Sequence, residues 1–292
     1  MNRRRVVWPV VLLGVLAALP ALALLVVRVV PELQVVSVLG WTRALALVSS
    51  FIGYGVIGWV VDSGCLLIAT LRARRRRVLA LVTAVAVAGL GLQLSWIAPS
   101  FVADRRAPTG PSFTVMSLNM YMGAADPRKV AERAQQADIV VLLEITPAAA
   151  GSLRAVGLDD RFPYRVGDGR EGISGSAVYS RYPIRALTEL RTSYQQWVTV
   201  VDVPEVGPVT VIAAHPCNPF CGAAKWQRES EQVREQAVLH MDGPTVVAGD
   251  FNAVDDHLPM PSSYVTPGTP APATWPGRVW SPPTRRTGRC RR

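Results

Sequence analysis

Three long apolar segments occupy the first third of the chain. They cover about residues 6–30, 45–71 and 78–97. Each contains the roughly 20 residues that a helix needs to cross the hydrocarbon core of a bilayer. We therefore predict a transmembrane anchor of three helices over residues 1–98.

Arginine clusters flank these segments. Arg3, Arg4 and Arg5 precede the first segment. Five more separate the second segment from the third: Arg72, Arg74, Arg75, Arg76 and Arg77. Because Lys and Arg beside a span mark its cytoplasmic side, we predict a multi-pass protein of the cell membrane with a cytoplasmic N-terminus and an extracytoplasmic domain after Trp96. A cleaved signal peptide is disfavoured because the first apolar run is longer than a usual signal core.

The pattern changes to short strands alternating with amphipathic helices after a Pro- and Gly-containing linker over residues 99–112. Apolar runs predict strands at residues 113–118, 139–143, 175–180, 196–203, 208–214 and 245–248. Helical spacing predicts one helix after Asp126 and Pro127, and another that carries Trp226, Val233 and Ala237 on one side. This alternation predicts a layered α/β domain over residues 113–260.

Polar side chains stand at the carboxyl ends of four predicted strands. They are Asn119, Glu144, His215, and Asp250 with Asn252. Taken singly, each has an ordinary interpretation as a turn residue, a helix cap or a hydrogen-bonded loop histidine. Strand ends at one edge of a layered sheet are also where α/β proteins build sites, and the repetition favours a shared site.

These residue types suit metal-assisted hydrolysis of a phosphoester. Glu144 supplies a hard oxygen ligand for Mg²⁺ (with Mn²⁺ as an alternative), and Asn119 supplies an amide that holds a ligand or phosphate oxygen. Asp250 and Asn252 are suited to orienting the attacking water. His215 is suited to donating a hydrogen bond or a proton to a phosphate oxygen.

Net charge narrows the substrate class. The whole chain has a formal charge of +10, but residues 107–274 hold 13 basic and 18 acidic residues, a net of −5. An acidic body disfavours a broad basic groove for nucleic acid, which requires many Lys and Arg side chains. A small or lipid-linked phosphoester is therefore favoured, without nucleic acid being excluded.

Five blocks of sequence carry a family resemblance. They are FTVMSLN from Phe113, DIVVLLEI from Asp138, GSAVYSRYP from Gly175, HPCNP from His215 and GDFNA from Gly249. In this order they resemble the endonuclease/exonuclease/phosphatase superfamily, the DNase I-like proteins, and the anchor resembles that of membrane-bound bacterial members.

The resemblance implies a two-sheet α/β sandwich. It also implies roles for the five site residues. Glu144 is the implied Mg²⁺ ligand and Asn119 an active-site amide. His215 contacts phosphate, and Asp250 with Asn252 orients the water.

The resemblance weakens toward the end of the chain. The family pattern closes with further strands and a Ser-Asp-His block, which is not found after Met260. Asp256 and His257 follow the GDFNA block too soon to serve as that block. Residues 261–292 are rich in Pro and Arg, a composition typical of disorder. We therefore expect an incomplete domain, and a catalytically inactive protein that retains a ligand-binding face is the alternative function.

Three further residues leave alternatives open. Asp62 lies in the second apolar segment, where helix packing is favoured over a transport role. Cys217 and Cys221 follow His215 closely and are predicted to be structural thiols, free or joined in a small-loop disulfide. A zinc site with His215 is disfavoured because the spacing matches no familiar zinc pattern.

Overall fold

The computed structural model describes residues 3–30, 42–73, 76–101 and 110–254. The predicted tail over residues 261–292, most of the linker, and Asp256 with His257 lie outside these described residues. The described chain divides into a helical N-terminal unit and an α/β unit.

The helical unit contains α1 (Arg3–Val29), α2 (Thr42–Ser49), α3 (Gly55–Arg72) and α4 (Arg77–Phe101). Three of its helical stretches are long and apolar enough to cross a membrane: Val7–Val29, Ile52–Arg72 and Arg77–Ala98. The second begins at Ile52 rather than near residue 45. Helix α2 ends at Ser49, whose hydroxyl donates to the carbonyl of Leu45. A short 3₁₀ turn over Ile52–Tyr54 then leads into α3.

Small residues allow α1 and α3 to pack closely. A Cβ atom added at Gly58 would lie 2.5 Å from the carbonyl oxygen of Ala17, and one added at Gly14 would lie 3.0 Å from a carboxylate oxygen of Asp62. Asp62 is buried where α3 meets α1. This position supports the packing interpretation of Asp62.

The α/β unit contains eight strands in two sheets of four. The strands are β1 (Val115–Asn119), β2 (Ile139–Leu143), β3 (Tyr164–Asp168), β4 (Ser176–Ser180), β5 (Ile184–Glu189), β6 (Trp197–Val203), β7 (Gly207–Ala214) and β8 (Thr245–Gly249). Their orders are β1-β2-β4-β3 in the first sheet and β5-β6-β7-β8 in the second. The predicted two-sheet α/β architecture is confirmed.

Helices cover the outer faces of the sheets. The first sheet packs against α5 (Pro127–Ala134), α6 (Pro147–Ala155) and α7 (Leu158–Arg161), and the second against α8 (Ala223–Leu239). Strand β2 shows why both faces of the sheet are covered. Alternate residues of a strand face opposite sides, and here both sets are apolar. Ile139, Val141 and Leu143 face the core between the sheets, whereas Val140 and Leu142 face the helices.

Two parallel strand pairs determine where the polar residues at the strand ends lie. β1 runs parallel to β2 with Asn119 opposite Leu143, so Glu144 follows directly beside Asn119. β7 runs parallel to β8 with Ala214 opposite Gly249, so His215 and Asp250 emerge side by side. The four polar residues that follow these strands therefore lie in two adjacent pairs, Asn119 with Glu144 and His215 with Asp250.

Gly249 is required by the close pairing of β7 and β8. Its φ is +155°. A Cβ atom at this position would lie 1.9 Å from the carbonyl oxygen of Ala214. The glycine therefore admits the backbone of the neighbouring strand, and the amide of Asp250 can donate to that same carbonyl at 3.0 Å.

We predict that Gly249→Ala lowers the free energy of unfolding by about 2 kcal/mol or more, because two backbones would have to separate. The measurement is thermal unfolding of the full chain in detergent. Gly243→Ala is the matched control, since a Cβ atom there meets nothing within 4 Å, and it should change stability by less than about 0.5 kcal/mol. Equal stability of the two variants would contradict the steric argument.

Candidate active site

The side-chain amide of Asn119 joins the carboxylates of Glu144 and Asp250. Its Nδ2 atom donates to Oε1 of Glu144 and to Oδ2 of Asp250, both at 2.9 Å. Its Oδ1 atom accepts from the backbone amide of Tyr121 at 2.8 Å. The nitrogen, and not the oxygen, therefore faces the carboxylates, and the ligand role of Asn119 stays a prediction.

The backbone at this site occupies the left-handed region at several positions. The φ angles are +54° at Glu144, +48° at Asn252, +50° at Tyr121 and +54° at Met122. The one other non-glycine residue with positive φ in the described chain is Glu205, in the turn between β6 and β7. Such conformations cost on the order of 1 kcal/mol or more each and concentrate at functional sites.

The strained loop after β1 directs two backbone amides into the site. The amide of Met122 donates to Oε2 of Glu144 at 2.9 Å, while that of Tyr121 holds Asn119. The side chains of Tyr121 and Met122 remain 71% and 49% exposed. This loop thus orients the polar groups and leaves two large side chains beside them.

His215 is buried next to Glu144. Its side chain is 1% exposed, and its Nε2 atom lies 3.9 Å from Oε1 of Glu144. Burial lowers the pKa of His215, although the negative charges of Asp250 and Glu144 act in the opposite direction. A lowered pKa favours the neutral imidazole at neutral pH.

Neighbours that the sequence analysis did not single out position His215. The ring of Tyr194 packs against the imidazole with ring centroids 4.7 Å apart. The side-chain carbonyl of Gln196 accepts from the backbone amide of His215 at 2.8 Å. Both residues lie just before β6, and nothing in their local pattern distinguishes them from ordinary polar residues at such positions.

Glu229 connects the two loops around His215. It lies on α8 and is buried, yet its Oε2 atom accepts from the amide of Cys217 at 2.8 Å and its Oε1 atom from the amide of Ser193 at 2.9 Å. One carboxylate therefore connects the segment carrying Tyr194 with the segment carrying His215. The helical pattern of α8 gave no sign of this role because Glu is a common residue of exposed helix faces.

Asn252 joins the last strand to the His215 loop. Its backbone amide donates to Oδ1 of Asp250 and its Nδ2 atom donates to the carbonyl of Pro216, both at 2.9 Å. Its predicted part in orienting water stays untested. The structure thus brings Asn119, Glu144, Asp250 and Asn252 into one hydrogen-bonded cluster at the edge where both sheets end, and His215 lies beside it.

The sequence matches the family model described as the endonuclease/exonuclease/phosphatase family over residues 116–292, more than half of the chain. The chain belongs to this family. The match extends beyond residue 260, where composition predicts a tail, and that domain boundary stays a prediction.

Several solved structures resemble the fold. A humanised D. rerio TDP2 with 14 mutations is 14% identical, with a TM-score of 0.42, over 50% of this chain and 65% of its own. An endonuclease/exonuclease/phosphatase from Beutenbergia cavernae is 22% identical, with a TM-score of 0.36, over 48% of this chain and 47% of its own. The chain thus spans less than two thirds of each of these two proteins.

An AP endonuclease from Archaeoglobus fulgidus is 12% identical, with a TM-score of 0.38, over 52% of this chain and 70% of its own. No curated protein sequence matches the chain significantly. The family assignment therefore rests on the family model and agrees with the sandwich architecture.

The donor set of the site fits a hard divalent cation. Two carboxylates converge on one amide nitrogen, and among the described residues neither has a Lys or Arg partner. Mg²⁺ binds through one or two carboxylates and keeps several waters. Within the described residues no group of three or more His, Cys, Asp or Glu side chains is arranged to hold a metal, either at this site or at the cysteines beside His215.

We predict that Asn119→Asp destabilises the protein in the absence of divalent cations, by about 1–3 kcal/mol. The change replaces the donor between two carboxylates with a third negative charge. Thermal unfolding in chelator and then in Mg²⁺ measures it, and added Mg²⁺ should recover part of the loss.

Asn218→Asp is the matched control for this experiment. Asn218 accepts from the amide of Phe220 through Oδ1, a bond that a carboxylate preserves. An Asn119→Asp variant as stable in chelator as the parent would contradict the bridging role of Asn119.

Proposed function

We propose that this family member is a Mg²⁺-dependent phosphoesterase, anchored in the cell membrane, whose site lies on the extracytoplasmic side. The observation that carries the proposal is the convergence of Glu144 and Asp250 on Asn119, with His215 alongside. Family membership supports the reaction class. The substrate, the metal and the sidedness are parts of the proposal.

Glu144, the predicted Mg²⁺ ligand, would hold the cation in this proposal, and waters would complete its coordination. A bound Mg²⁺ would supply charge stabilisation for the phosphoryl oxygens. Both Glu144 oxygens already accept hydrogen bonds, from Asn119 and from the amide of Met122, so the carboxylate is held in one orientation before any ligand arrives. Preorganised ligands of this kind need little rearrangement during the reaction.

Water activation is assigned to Asp250. Its Oδ1 atom accepts from the amide of Asn252 and its Oδ2 atom from Asn119, and each oxygen retains a lone pair to accept from a water. In that position the carboxylate orients the water and takes its proton as the bond to phosphorus forms. Asn252 is itself held by the carbonyl of Pro216, so the orientation of Asp250 is coupled to the His215 loop.

His215 is assigned to the phosphate. Its distance of 3.9 Å from Glu144 is too long for a hydrogen bond, so an N–H at Nε2 remains available to a phosphate oxygen. Because burial keeps the imidazole neutral, it donates a hydrogen bond without adding a full charge to the site. Tyr194 packs against the imidazole ring, and Gln196 holds the backbone amide of His215.

A small or lipid-linked phosphoester, either a diester or a monoester, is favoured over nucleic acid. Residues 107–274 have a net charge of −5, which does not suit a polyphosphate backbone. The exposed Tyr121 and Met122 next to Glu144 add apolar surface where the substituent of a bound phosphoester would lie. Three apolar helices and the arginine clusters beside them support the anchor and its orientation.

We predict that the purified full chain hydrolyses bis-p-nitrophenyl phosphate when Mg²⁺ is present, and that chelator abolishes the rate. Glu144→Gln and Asp250→Asn should each lower kcat/KM by about 100-fold or more, because each removes a carboxylate charge from the site. Release of p-nitrophenolate measures both effects.

Glu205→Gln is the control, since Glu205 lies in the turn between β6 and β7. It should leave the rate unchanged. Hydrolysis that persists in both site variants would eliminate the proposed site. A folded parent without hydrolysis would instead support the alternative of a ligand-binding protein.

A further inference from the structure

Two thiols lie together in the loop that follows His215. Cys217 is buried and Cys221 is exposed, and both are free cysteines. A short 3₁₀ helix over Pro219–Cys221, with the amide of Cys221 donating to the carbonyl of Asn218 at 3.0 Å, turns the chain back on itself. This turn brings Cys221 close enough to Cys217 to raise the pKa of the Cys217 thiol.

The surroundings hold this pair in place and connect it to the site. The amide of Cys217 donates to the buried carboxylate of Glu229 at 2.8 Å. The hydroxyl of Tyr194 lies 3.9 Å from Sγ of Cys221, and the ring of the same Tyr194 packs on His215. One aromatic side chain therefore contacts both a thiol of the pair and the site histidine.

From this geometry we infer that Cys217 and Cys221 are a redox modification site, which a small-molecule disulfide converts to a reversible intraloop disulfide. The Cys221 thiolate attacks one sulfur of the oxidant, forms a mixed disulfide and releases one thiol. The Cys217 sulfur, after losing its proton to solvent, attacks Sγ of Cys221 and displaces the second thiol. Two protein thiols and one small disulfide become one protein disulfide and two small thiols.

The order of the two steps follows from exposure. Cys221 is accessible to an oxidant, whereas Cys217 is fully buried. Burial, and next the neighbouring Cys221 thiol, raises the pKa of the Cys217 thiol. The first mixed disulfide removes the neighbouring Cys221 thiol, which makes Cys217 easier to deprotonate for the second step.

The bond is expected to be reducible and not a permanent structural link. It closes a loop of only five residues, and a short loop removes little entropy from the unfolded chain. The Tyr194 hydroxyl lies 3.9 Å from Sγ of Cys221, so formation of the disulfide alters this contact. Redox state is thereby coupled to the side chain that packs on His215.

The test uses the full chain in detergent, equilibrated with reduced and oxidised glutathione, quenched with acid, and alkylated with N-ethylmaleimide. Trypsin cleavage after Arg191 and Lys225 releases both cysteines on one peptide, residues 192–225, which contains no other Lys, Arg or Cys. We expect this peptide to be lighter than its reduced form by two hydrogen atoms and to carry neither maleimide nor glutathione. Prior reduction should give two maleimide adducts.

Two variants extend the test. Cys217→Ser should stop the reaction at the mixed disulfide and leave glutathione on Cys221, whereas Cys221→Ser should leave Cys217 without glutathione. The inference is overturned if the parent peptide carries two maleimides after oxidation, or glutathione on Cys221 together with maleimide on Cys217. The parent measurement depends neither on the folding of the variants nor on hydrolytic activity, so it stands apart from the proposed function.

Discussion

The Asn119 amide is the interaction on which the candidate site depends. It sits at the end of β1 in the first sheet and donates both to Glu144, which follows β2 in that sheet, and to Asp250, which follows β8 in the second. Two carboxylates held by one neutral donor repel each other unless a cation or a proton intervenes. The negative charge of the two carboxylates is therefore concentrated at the edge where both sheets end.

The fold holds this arrangement with backbone conformations that non-glycine residues rarely adopt. Glu144, Tyr121 and Met122 are all held with positive φ, and the amides of the latter two donate into the cluster. Extensive burial around them offsets the strain, because every residue of β2 is fully buried between helices and the second sheet. The packed core supplies the stability, and the loops at its edge use part of it to direct polar groups.

Around His215, side chains hold the polar groups in position. Tyr194, Gln196 and Glu229 come from three different segments and converge on one buried imidazole and its loop. The Nδ1 atom of His215 is buried and has no hydrogen-bond partner among the described residues. Within the described part of the chain, ring packing and a hydrogen bond to its backbone amide hold His215 in place.

Local patterns were sufficient for the parts of the fold that are strongly buried. The continuous apolar run before Glu144 predicted β2, and the Asp126–Pro127 pair predicted the start of α5, where Asp126 indeed caps the helix. Strands β3 and β5 were missed because most of their residues are exposed and show no apolar alternation, and β5 also contains a bulge between Ala186 and Thr188. Helix α6 was missed although Thr146 and Pro147 form a recognisable cap.

By itself, the sequence determined three apolar helices, an α/β layered domain, and the chemical identity of five polar residues at strand ends. It could do so because periodicity, capping and residue type are properties of neighbouring positions. Only the tertiary structure decided that β1 pairs parallel with β2 and β7 with β8, that Asn119 links the two sheets, and that Tyr194 and Glu229 reach the His215 loop. These contacts join residues far apart in the chain, where no local pattern indicates which partner each will meet.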